Sequence, residues 1–135
     1  MSALRQLDPR ALADAIVLAA VIVGPAAAVS FLVVDRDADD GGGALSLVFI
    51  ALILVGFGIG GRRVARAGVV LPLTHGAFVG LLTFAAVQVL ILVLSAIAGN
   101  ESEVRVASLA FSALLASSAG MIGASLGLRR TTWRA

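Results

Sequence analysis

The charges in this chain leave four long apolar runs between them, and that spacing limits the fold more than any other feature. AIVLAAVIVGPAAAVSFLVV fills the interval from Asp14 to Asp35, GGGALSLVFIALILVGFGIGG that from Asp40 to Arg62, and VASLAFSALLASSAGMIGASLGL that from Arg105 to Arg129. A helix crosses about 30 Å of hydrocarbon with about 20 apolar residues at about 1.5 Å each, so every run fits one crossing. The interval from Arg66 to Glu101 is too long for one span. Pro72 resolves the surplus, because proline suits the first helical turn and not the interior. Val69 to Leu71 then form an interfacial connector. The reading is an all-α, single four-span domain with spans at 12–34, 44–61, 72–98 and 104–128.

Composition agrees. Of the 135 residues, 60% are hydrophobic and 13% charged, with a mean hydropathy of +1.08. Soluble domains are nearer 25% charged, and at about 150 residues they still expose about 30% of their extended-chain surface. A water-soluble fold of this size has nowhere to hide so much apolar area. The chain contains no cysteine, which excludes a disulfide framework, a CxxC zinc or redox site and a thiol nucleophile.

Helix-end chemistry fits these limits. Asp8 is placed to accept hydrogen bonds from the free amides of the first turn, with Pro9 following it. Asn100 or Ser102 can cap the fourth helix, and Glu103 completes a capping box if Asn100 is the cap. Gly24-Pro25 falls inside the first span, where proline removes a donor and crowds the Val21 carbonyl, so a static kink is expected. Arg5, Arg10 and Ala26-Ala27-Ala28 mimic a signal peptide with its cleavage site. The apolar run continues to Val34, past the roughly 7 to 15 residues of a signal core, so an intact first helix is expected.

The arginines set the direction. Arg5 and Arg10 precede the first span, Arg62, Arg63 and Arg66 lie between the second and third, and Arg129, Arg130 and Arg134 follow the fourth. Eight of the ten basic residues therefore share one face, while DRDADD and GNESEVR on the other are acidic overall. Short arginine-rich segments stay cytoplasmic, which predicts an up-down bundle with both termini in the cytoplasm. GGRRVARAG is thereby a topology-fixing hairpin. A nucleic-acid grip would want a broader basic face with stacking aromatics, and aromatics make up only 5% of the chain.

The halves echo each other: GFGIGGRRVAR near the middle and GMIGASLGLRRTTWR at the end each place a double arginine after a glycine-rich segment. This fits a parallel two-helix repeat, though compositional bias produces such echoes too. The order Gly60-Gly61, then RRVAR, then His75-Gly76 with Gly80 resembles the YrzE-like family of small bacterial four-helix membrane proteins. The resemblance covers about 20 residues, implies a multi-pass protein of the bacterial cytoplasmic membrane, and brings no activity or catalytic residue with it.

Helix association in lipid depends on close packing, which small residues permit. Ala20, Gly24 and Ala28 provide a small-residue stripe in the first span, Gly56 and Gly60 in the second, and Gly76 and Gly80 in the third. In the fourth, Ser108, Ser112, Ala116, Ala119, Gly120, Gly123 and Gly127 form one broad stripe at 100° per residue, with Phe111, Leu114, Met121 and Ile122 away from it. Such stripes serve an intramolecular bundle, and equally self-association or docking to a larger membrane complex.

Apart from Asp14, His75 and Arg105 at the span ends, no ionisable side chain lies within a span; Gln88, Ser30, Ser95, Thr83 and the fourth-span serines are the polar residues at depth. Gln88 and His75 point roughly 140° apart on their helix, so they do not line one path. His75 is expected as an interfacial side chain or a contact across the hairpin. Asp35, Asp37 and Asp39 alternate like a calcium loop, but Asp40 and Ser46 stand where glycine and a bidentate glutamate belong. No metal site, cofactor, catalytic residue or nucleic-acid partner is expected. The reading is a non-enzymatic accessory or interaction subunit; the alternative is a small-solute permease or channel component using Gln88 and the kink at Pro25.

Overall fold

The computed structural model describes residues 8–34, 42–99 and 106–132. They form four helices, α1 (Pro9–Val34), α2 (Gly42–Arg66), α3 (Pro72–Ala98) and α4 (Val106–Thr132). All four are long and apolar enough to cross a membrane. The acidic loop at 35–40, the capping residues Asn100, Ser102 and Glu103, and Arg5, Arg36, Arg105 and Arg134 lie outside the described residues. So do the side chains of Ser108 and Arg130.

The helix ends follow local chemistry. Asp8 Oδ1 accepts hydrogen bonds from the amides of Arg10 at 2.9 Å and Ala11 at 3.3 Å, and its carbonyl accepts the first helical bond from Leu12 at 3.1 Å. Helix α1 continues unbroken through Pro25. Helix α2 departs from the sequence reading: it runs past Gly61 through the arginines to Arg66. Arginine is a good helix former, and Arg63 and Arg66 in the last turn complement the negative end of the helix dipole. The hairpin thus shrinks to a short turn, with Gly68 at φ 75° taking the left-handed conformation that ends a helix. Pro72 opens α3, and Gly99 at φ 69° closes it by donating its amide towards the Ser95 and Ala96 carbonyls.

Helices α2 and α3 touch each other and each touches both α1 and α4, whereas α1 and α4 do not meet among the described residues. The inner pair is α2 and α3. A two-fold repeat would relate the α2–α3 contact to a matching α4–α1 contact, and only the first is present among the described residues.

Between 22% and 28% of each span is buried inside the protein, so most of each helix faces outwards. The core is built from small residues. One cluster joins Leu12, Ala15 and Ala19 of α1 to Val64 and Val79; a second joins Val23, Ala27, Phe57, Val87 and Ala116. Leucines, isoleucines and Phe111 are left outside. This inverts the soluble pattern, as expected where lipid removes the hydrophobic incentive to bury large side chains and dense packing decides helix association.

Candidate functional site

Three features of the bundle combine polar groups with shape. The first lies where the arginines gather. His75 is fully buried, its Nδ1 lies 2.8 Å from the Leu71 carbonyl oxygen, and its Nε2 accepts the Asp8 amide at 3.0 Å. An amide can only donate and a carbonyl only accept, so the neutral tautomer with hydrogen on Nδ1 satisfies both contacts. The imidazole locks the start of α1 to the start of α3. Its long-range partner is thus the start of α1 and not a residue across the α2–α3 hairpin. The first turn of α3 aims the ring inward at the Asp8 amide, which lies just outside α1 and has no acceptor within its own helix.

Beside this lock, Asp14, Arg63 and Arg66 line a recess of about 270 Å³ together with Ala11 and Ala67. Arg63, Arg66 and Arg129 are exposed, and Arg62 is half-buried. Among the described residues no group of three or more histidines or carboxylates is arranged to hold a metal.

The second feature is a cleft of about 330 Å³ between all four helices. Phe57, Phe84, Phe111 and Ile53 form much of its wall, and Gln88 and Ser112 are its polar members. Thr83 and Ser95, both buried, have hydroxyls without a hydrogen-bond partner, but neither lines this cleft. Ser118 and Ser125 return their hydroxyls to the carbonyls of Leu114 and Ile122, at 2.8 and 2.7 Å.

The third feature is the use made of the small residues. A Cβ on Gly61 would overlap the carbonyl of Gly120; one on Gly80, that of Ala116; one on Gly120, that of Gly76; and one on Gly123, that of Gly58. On Gly76 it would lie 2.6 Å from the Gly120 oxygen. Here backbone meets backbone, and α4 is wedged against α2 and α3 at once. Gly56 faces α1, where an added Cβ would lie 2.5 Å from Val23 Cγ2, and Gly60 faces both α1 and α3, where it would lie 2.9 Å from Ala19 Cβ and 2.8 Å from Val79 Cγ1. Gly127 abuts Ala65 and Arg62. Gly24 differs, since nothing lies within 4 Å of a Cβ there; Ala20, Ala28 and Ser112 are only half-buried. The spacing rule overlooked Gly58 and Gly61. The run GFGIGG held the signal, because four glycines in six positions supply two faces of one helix: Gly56 and Gly60 towards α1, Gly58 and Gly61 towards α4.

No protein-family model, curated protein or solved structure matches the chain.

Proposed function

We propose that this chain is a non-enzymatic accessory subunit of a bacterial cytoplasmic membrane, an up-down bundle with both termini in the cytoplasm that serves a larger complex through its outward aliphatic faces. The order of contacts supports alternating directions. Gly56 pairs with Ile22 and Val23 and Gly60 with Ala15 and Ala19, so α2 retraces α1. Gly76 pairs with Gly120 and Gly80 with Ala116, so α4 retraces α3. Asp8 against His75 and Gly127 against Arg62 then gather the start of α1, the end of α2, the start of α3 and the end of α4 at one end. That end carries Arg10, Arg62, Arg63, Arg66 and Arg129, and retention of arginine in the cytoplasm supplies the orientation. Kinship with the YrzE-like family, proposed on the GG, RRVAR and HGxxxG segments, supplies the bacterial setting.

The observation that carries the reading is the closure of the glycine faces upon one another. The chain completes a bundle by itself, and backbone contact at Gly61, Gly76, Gly80 and Gly120 leaves no room for a lumen through that half. What remains for others to bind is apolar, such as Leu114 and Phe111 on α4 or Val17 and Val21 on α1. The cleft holding Gln88 and Ser112 favours a second reading, a small-solute permease. Photocrosslinking from Leu114 and Val21 in native membranes separates the two. The subunit reading expects one discrete protein adduct from one face and lipid adducts from the other. Lipid adducts alone, with solute flux in reconstituted vesicles that disappears in Gln88→Leu, would replace it with the permease.

A further inference from the structure

Helices α2 and α4 leave an open groove of about 480 Å³ on the outer surface, within the roughly 300 to 1,000 Å³ of ordinary ligand sites. Its floor is small, with Gly58, Ala119 and Gly123, and its walls are aliphatic, as at Leu54 and Ile122. Ser118 lies in it with its hydroxyl already given to the Leu114 carbonyl. The one charged lining residue is Arg62, at the end where the arginines gather. Both walls continue into arginine: Arg66 is one turn beyond Arg62 on α2, and Arg129 three residues beyond Leu126 on α4, both exposed.

From this pairing of an apolar trough with a cationic rim we infer that the groove holds one anionic phospholipid, its acyl chain against Gly58, Ala119 and Gly123 and its phosphate at Arg62 and Arg129. Length supports a lipid over a protein helix. From Leu115 to Leu126 the groove spans about 16 Å, close to half of a hydrocarbon core of about 30 Å. That is the depth of one leaflet, whereas a partner helix would use the full thickness. Charge opposes a second copy as well: two chains inserted the same way and paired about this groove would set Arg62 against Arg62. The inference stands independently of the accessory-subunit reading.

Native mass spectrometry of the whole protein, released from bilayers of equal phosphatidylglycerol and phosphatidylcholine with identical chains, tests it. The unmodified chain should retain one phosphatidylglycerol in preference to phosphatidylcholine, by roughly five-fold for each arginine engaged. Arg62→Gln should lower that preference about five-fold, and Ser118→Phe, an exposed position that fills the trough, should abolish retention of both lipids while helicity is kept. Equal retention of the two lipids, or a preference unchanged by Ser118→Phe, overturns the inference. A disulfide-linked dimer from Ser118→Cys, in a chain otherwise without cysteine, also overturns it, by placing a second copy in the groove.

Discussion

At the scale of single residues, the contact of His75 with Asp8 matters most, because a fully buried side chain of α3 completes the exposed start of α1. The Asp8 side chain satisfies amides further into α1, which leaves its own amide as the donor without a helical partner. In His75 Nε2 it finds an acceptor. Substituting His75→Phe keeps a ring of similar size and removes that acceptor, and the loss of this part-buried hydrogen bond costs about 1 kcal/mol. A lowered midpoint of thermal unfolding in detergent is expected, and an unchanged one would mean that water replaces the imidazole. Asp8 was legible as a cap because its role involves only its immediate neighbours. The burial of His75 was not, since the amide it accepts is 67 positions away and no local pattern encodes that meeting.

Individual helices show how a spacing rule succeeds and where it loses resolution. Apolar runs between charges identify all four, because crossing length and the cost of charge in lipid act along the chain itself. The end of α2 escaped that reasoning, since arginines exclude a segment from hydrocarbon without stopping a helix. The small-residue pattern treats Gly24 and Gly80 as equivalents, although one faces open space and the other the Ala116 carbonyl. Their alanine variants should therefore diverge. Gly80→Ala and Gly61→Ala force backbone apart and should destabilise the bundle by about 1–3 kcal/mol or more. Gly24→Ala should be neutral or gain about 0.5–1 kcal/mol from helix propensity. Unfolding midpoints of the three variants in one detergent check this, and similar values for all three would show that the α4 wedge closes differently.

For the molecule as a whole, Arg10, Arg62, Arg63, Arg66 and Arg129, far apart along the chain, belong to helix ends that the Asp8–His75 and Arg62–Gly127 contacts bring together. Reporter fusions at each terminus should find both tails on the cytoplasmic side. Replacing Arg62, Arg63 and Arg66 together by glutamine removes three of the arginines from which the proposed orientation is argued, and should give a mixed population of orientations. Tails on opposite sides of the membrane would refute the up-down bundle. The arginine counts from which a direction is argued are a property of sequence, whereas the relation between α1 and α4 was not legible there, since an apparent repeat says nothing about which corners of a bundle touch. Gly120 sits where two helices arrive together, and its backbone has no slack on either side. The oily exterior tolerates exchange of one greasy side chain for another, but at that crossing only a bare hydrogen fits.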